Sequence, residues 1–459
     1  MNVTAQLSTF SAAVSVARLP KDVVDRTRFL ILDLVGNIVR ARYDSDSTPS
    51  LLLAAKALGL STGYARVFAD VGGYSPTGAA FINSTLAHSL DFDDTHAEGA
   101  LHPGAPVIPA ALAAGEMTNA SGADVLAAIV AGYEVTCRTA LALPAGDHYQ
   151  RGYHPTATCG VFGAAAAAGR VFGLDAAGIA SALGIALSQS AGSLQFLANG
   201  AWTKRFQVGW SSMAGLVAAT LAREGFKGAS EAIEGKQGFL SAYAPNPNPA
   251  RAVQDLGKVF ELMATGVKPY PSCRYGHAGI DAVLALRSEH NLKPDEIEDM
   301  TYGISKSGML LIGAPAEKKA NPRNTVDGQF SGPFVLSVAL ATGEMGWDSY
   351  RLIEDPVIRT LLTKVRCAFD AETEAEHPAN MSGKITIKAR GKTFAKTVTV
   401  PKGEPSNFFT EADLKSKFMN LAQPALGTPT AEALARSILQ IDSFADINEL
   451  LRQAKPLVC

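Results

Sequence analysis

Residues 160–172 read GVFGAAAAAGRVF. So many small side chains in one run make sense only in a helix that other helices approach closely, because Gly and Ala let backbones come near one another. The neighbouring segments agree. Residues 122–142 and 175–195 are rich in Ala, Leu and Ile at helical spacing, and Asp175 stands where an N-cap would. Residues 208–224 (VGWSSMAGLVAATLARE) continue the pattern. Upstream, residues 21–42 place Val24, Thr27, Ile31, Leu34 and Ile38 on one face, after a Pro20/Asp22 start. The N-terminal stretch has apolar residues at helical spacing and reads as a surface helix.

The character changes near Lys268. Residues 297–306, 364–370, 382–390 and 393–400 have strand composition or alternation, and Ala389-Arg390-Gly391-Lys392 reads as a hairpin turn. Helices are expected at 279–289 and 331–343 among them. From Thr410 the pattern is helical again, over 410–422, 430–440 and 445–454. The expected fold class is mainly α with a smaller α+β domain: a large all-helical domain (1–266), a small α+β lid domain (267–403), and a helical tail (404–459) returning to the large domain. A chain of 459 residues is long enough for two cores.

Bulk properties narrow the function. The net charge is −2, with no basic run, which argues against nucleic acid or an anionic membrane surface as partner. No apolar run reaches 18 residues, so no membrane span is expected. The cysteines, at 137, 159, 273, 367 and 459, are odd in number, widely spaced and without a CxxC, which fits free thiols in a cytoplasmic protein.

Chemistry concentrates in four segments. The first, 88–104 (HSLDFDDTHAEGALHPG), gathers His88, Asp91, Asp93, Asp94, Thr95, His96 and His102 in a chain with only 18% charged residues. His88, Asp91 and Thr95 have the spacing of one helix face. Gly99 and His102-Pro103-Gly104 predict a loop that can swing His102 back to them. Asp beside His and Thr suits acid–base work. The set could also bind a metal, or it could be a helix end with acids facing water. The second, 152–160 (GYHPTATCG), puts His154 just before a helix, either as a cap or as a site residue whose pKa the helix end lowers. The third, 201–210 (AWTKRFQVGW), puts Lys204 and Arg205 at a helix start, against the dipole, so they need another reason such as an acidic ligand. The fourth, 267–281 (VKPYPSCRYGHAGID), holds Lys268, Arg274 and Tyr275 between stiff prolines at a domain junction, where ligand clefts form preferentially. GxGxxG after a strand, Walker A, GxSxG and HExxH are all missing, so nothing calls for a nucleotide, flavin or zinc cofactor.

Taken in order, HSLDFDDTH with HPG, GYHPTATCG, TKRFQVG and KPYPSCRYGHAGID resemble the MmgE/PrpD family, and the resemblance runs along nearly the whole chain. It implies a homodimer, a cytoplasmic location, no metal or organic cofactor, and a small polycarboxylate substrate that exchanges a proton at a carbon beside a carboxylate. It also carries site roles onto Asp91, Thr95, His102, His154, Lys204 and Lys268; the catalytic candidates are Asp91, His102, His154 and Lys268, and Thr95, Lys204, Arg274 and Tyr275 are the candidates for binding substrate. In the family's decarboxylases a histidine follows the KPYP-type lysine by five residues, where this chain has Cys273. A tyrosine in the helix after the FS-type motif falls on Phe334, and the step from Thr95 to His102 is one residue longer. These departures count against decarboxylation, and the overall resemblance, rather than any single motif, leads to the expectation of a cofactor-independent epimerase of iminodisuccinate. A 2-methylcitrate dehydratase-type or cis-aconitate decarboxylase-type lyase is the alternative, and a non-catalytic binder of small acids is the rival from another class.

Overall fold

The structure, a computed structural model, describes residues 2–377 and 379–456. Cys459 lies outside the described residues; Cys137, Cys159, Cys273 and Cys367 are free thiols. The chain forms two compact units, Met1–Val267 with Thr410–Cys459, and Lys268–Phe409. The molecule is mainly α, with a smaller α+β part.

In the large unit, the Ala-rich run lies in the buried Pro155–Val171 helix, which packs against the helices Gly104–Thr118, Gly122–Leu141, Ala176–Leu187 and Thr203–Arg223. Its small residues are required by contact. A Cβ at Gly163 would overlap the Thr136 hydroxyl and the Gly132 carbonyl of the next helix. Ala164 meets Gly215 of the Thr203–Arg223 helix in the same way. The Lys21–Asp44 helix is buried on all sides from Leu30 to Ala41, so its core is wider than the single face read from sequence. The Glu411–Leu426 helix covers it: Phe418 and Leu421 lie over Gly36.

The small unit has a four-stranded sheet in the order Val365–Phe369, Ile297–Ile304, Gly383–Ala389, Lys392–Val398. The first pair is parallel and the other two antiparallel. Arg390 and Gly391 both have positive φ, 55° and 64°, which is the two-residue hairpin turn expected there. The helices His277–His290 and Gly332–Thr342 bury Ile280, Val283, Leu336 and Leu340 with Tyr302 and Ile385 of the sheet. The sequence boundary near 403 is shifted here: Glu404 is ion-paired with Arg274 and belongs to this unit.

Candidate active site

The Pro76–Ala87 helix stops at His88, which is where the site begins. The expected shared helix face of His88, Asp91 and Thr95 is not formed. The chain turns instead, Asp91 takes a positive φ of 53°, and Thr95–His96 pairs as a short strand with Thr265–Gly266. Asp tolerates the left-handed region better than most residues, and the turn gives Asp91, Asp93 and Asp94 a side-chain partner each. Nor do the acids face water: Asp93 is fully buried, and Asp91 and Asp94 nearly so.

Each acid has its own partner. Asp91 Oδ1 accepts a hydrogen bond from Lys204 Nζ at 2.7 Å. Asp93 Oδ2 accepts from His88 Nδ1 at 2.7 Å. Asp94 Oδ2 accepts from the Tyr133 hydroxyl at 2.6 Å, and its Oδ1 accepts from Gly104 N at 3.1 Å. Gly104 has no room for a side chain, since a Cβ there would run into Tyr133 and Asp94. Burial pushes the Asp94 carboxyl up to about 8 despite the Tyr133 hydrogen bond, with Asp93 adding to the rise.

The loop after Thr95 returns as expected. His96 N donates to Leu101 O at 2.8 Å, and Gly99 N donates to His96 Nδ1 at 3.0 Å. The other His96 nitrogen lies 3.4 Å from Glu261, which Arg251 also holds at 2.9 Å. The turn delivers His102, whose backbone N–H donates to Thr156 Oγ1 at 3.2 Å and whose Nδ1 sits 3.5 Å from Asp93 Oδ2.

His154 stands at the N-cap of the Pro155–Val171 helix but makes no side-chain cap bond. Gln207 donates its amide N–H to Ser193 O at 2.9 Å, so its oxygen is turned to accept from His154 Nδ1 at 3.0 Å. That leaves the lone pair of a neutral His154 on Nε2. Burial, then His88 and Lys204, hold the His154 pKa well below the ordinary 6.5. The His88 ring stacks on His154 at 5.8 Å and meets His102 edge-on at 4.8 Å.

The two cations at the helix start both have reasons to be there. Burial alone would lower the Lys204 pKa, but Asp91 outweighs it and the net shift is upward, so the ammonium persists. Arg205 is structural, held by Asp46 at 2.8 Å and by Ser45 and Ser47. Behind the turn, the Phe92 carbonyl accepts from Lys417 Nζ at 2.9 Å and from Asn37 at 3.3 Å. Lys417 also pairs with Asp33 at 2.5 Å.

The structure thus brings together Asp91, His102, His154 and Lys204 within the large unit, with Thr95 on the same turn. Thr95 Oγ1 and Asp93 Oδ1 are buried without a hydrogen bond among the described residues. Sequence reasoning named Asp93 in the segment but not among the site candidates, and missed Gln207, Tyr133, Asp33 and Lys417. Gln207 had a signal, since it stands three residues after Lys204. Lys417, hundreds of residues from Phe92 along the chain, had none.

The other candidates belong to the small unit. Lys268 is buried. Arg274 is engaged by Glu404, with Nε 3.0 Å from Oε1. The Tyr275 hydroxyl is 3.0 Å from His377 Nε2. Cys273 and Phe334 are both buried, and Phe334 packs on Tyr350.

Among the described residues, one group of three has donor atoms close enough to share a cation: His88, Asp93 and His102, within 4.8 Å of one another. The His88 nitrogen in that group already faces Asp93 at hydrogen-bond distance, so a proton satisfies the pair without an ion. No described helix is long and apolar enough to cross a membrane.

Comparison with known proteins places this site in context. The profile of the MmgE/PrpD N-terminal domain matches residues 5–252, and that of the MmgE/PrpD C-terminal domain matches residues 270–442. A cis-aconitate decarboxylase-like protein of Aspergillus oryzae is 27% identical over 98% of this chain and 96% of its own length. A cis-aconitate decarboxylase of Aspergillus terreus is 26% identical over 98% and 95%. The human cis-aconitate decarboxylase is 25% identical over 98% and 94%. Two domain profiles in series, covering both units, lead to one conclusion: the chain belongs to the MmgE/PrpD family.

Proposed function

We propose that the protein is a cofactor-independent lyase that decarboxylates a small unsaturated tricarboxylate of the cis-aconitate type. The observation that carries this reading is the end-to-end similarity to cis-aconitate decarboxylases. It replaces the epimerase as the first reading, because no similarity points to an epimerase in particular. The large-unit cluster supports it chemically. Losing CO2 leaves an electron pair on carbon, which a neighbouring carboxylate delocalises and an acid must protonate. One CO2 leaves and one proton is taken up. Lys204, fixed by Asp91 and still partly open to solvent, holds a substrate carboxylate. His102 and His154 handle the proton. Lys268 is proposed as a further carboxylate holder, and Arg274 and Tyr275 of the small unit as substrate-binding candidates.

The second reading, epimerisation of iminodisuccinate, is favoured by Cys273 and Phe334. Neither is an acid of the kind the family's decarboxylases carry at those places. A homodimer, as the family resemblance implies, is proposed with either reading.

The test is turnover of cis-aconitate, followed by CO2 release, beside iminodisuccinate in D2O, followed by deuterium at the α-carbon. CO2 release that drops roughly 100-fold or more in His102→Gln supports the lyase, as does activity retained after dialysis against a chelator. Deuterium exchange with no CO2 release from cis-aconitate overturns it in favour of the epimerase.

A further inference from the structure

Asp93 is fully buried, and a single one of its oxygens faces two imidazoles: His88 Nδ1 at 2.7 Å and His102 Nδ1 at 3.5 Å. The two rings lie 4.8 Å apart at 70° to each other, so both can direct a nitrogen at the same oxygen. An ionised carboxylate only accepts hydrogen bonds, so each nitrogen it attracts carries a proton. The third imidazole is backed differently: His154 Nδ1 meets Gln207 Oε1, an oxygen of a neutral amide.

We infer that Asp93 is a positioning residue that holds the Nδ1–H of His102, leaves Nε2 to exchange a proton with the substrate, and makes His102 the acid of the site. His88 steadies Asp93 from the other side. A carboxylate behind an imidazole favours the charged ring, and a neutral amide does so far less. His102 therefore works as the imidazolium donor and His154 works neutral. In the donor step the Nε2–H bond of His102 breaks and a C–H bond forms at a carbon of the delocalised carbanion that loss of CO2 leaves. The electron pair of the carbanion makes the new bond. The neutral ring keeps its Nδ1–H toward Asp93, and Nε2 is reprotonated from solvent. The 3.5 Å separation closes to a hydrogen bond when the ring is charged, as catalytic hydrogen bonds commonly tighten only in the working state. The identity of the carbon acceptor rests on the proposed decarboxylation; the tautomer assignment does not.

The full chain, labelled with 15N-histidine, carries eight histidines, and the His102 signals are those lost in His102→Gln. In the wild type the neutral His102 ring is expected to carry its proton on Nδ1. In Asp93→Asn the ring is expected to shift toward the other tautomer and to charge at lower pH. In the same variant kcat is expected to fall about 10–100-fold with KM within about threefold, and the alkaline limb of the pH profile moves down by about one unit. A merely structural defect would not move that limb. A wild-type ring protonated on Nε2 overturns the inference, and so does a tautomer that Asp93→Asn leaves unchanged. If Asp93→Asn does not fold, the wild-type spectrum decides alone. If the wild type turns over no polycarboxylate, the proposed function fails while the spectrum still tests Asp93.

Discussion

Asp94 shows how burial, helped by neighbouring carboxylates, can set a residue's protonation. Its carboxyl sits between Tyr133 and the N–H of Gly104, fully enclosed, and burial pushes its pKa up to about 8. The unfolded chain releases that proton near pH 4. Between about pH 4 and 8 the folded protein therefore holds a proton that the unfolded chain has lost. Stability from this group falls as pH rises through that window. Asp33, raised to about 6, and Glu116, raised to about 7, act in the same direction. Asp94→Asn removes one such contribution while keeping an oxygen for the Gly104 N–H, and its amide N–H donates to the Tyr133 hydroxyl oxygen in place of the bond that Tyr133 donated. The variant is expected to lose less stability than the wild type between pH 5 and 8, by on the order of 3 kcal/mol. Melting curves across that range check it, and equally steep declines in both proteins would sink the idea.

The Thr203–Arg223 helix serves two purposes. One side brings Lys204 to Asp91 and Gln207 to His154. Along another side runs an apolar stripe: Trp202, Phe206 and Trp210, spaced four residues apart, then Leu221, all exposed at 37–46%. Met213 and Val217, partly exposed, continue it between them. A stripe about 30 Å long on one helix can meet its own copy across a two-fold axis, because the same patch then serves both partners. We propose this face as the contact of the homodimer that the family resemblance implies. Phe206→Glu with Trp210→Glu is expected to give a monomer by light scattering, while Leu58→Glu, which is also exposed but lies elsewhere, leaves the mass unchanged. A double variant that stays dimeric rules this face out. The glycines of the neighbouring helix have a different logic. Gly163 is set by how closely the next helix lies, which is why the run at 160–172 could be read without any knowledge of its partners.

At the scale of the whole molecule, the chain closes on itself behind the site. Lys417 of the tail reaches Asp33 of an early helix and the carbonyl of Phe92 between them, and its ammonium lies 3.7 Å over the Phe92 ring. Lys417→Met leaves Asp33 buried without its cation. A loss of about 3 kcal/mol in stability is expected, together with lower turnover as the Asp91–Asp94 turn loses its backing. Denaturant titration and kcat measure the two, and a variant as stable and active as the wild type would remove this role. Periodicity and composition by themselves determined the mainly helical class, the strands and hairpin of the small unit, and the segments where polar chemistry collects. Those properties depend on residues a few positions apart, and local spacing records them. What the tertiary structure alone decided is how the side chains of those segments meet. Asp91 turns to Lys204, Asp93 lies between two histidines, Gln207 orients His154, and Lys417 supports the whole turn. Such contacts join residues far apart in the chain. Their energy comes from burial, and burial exists only once the helices have packed.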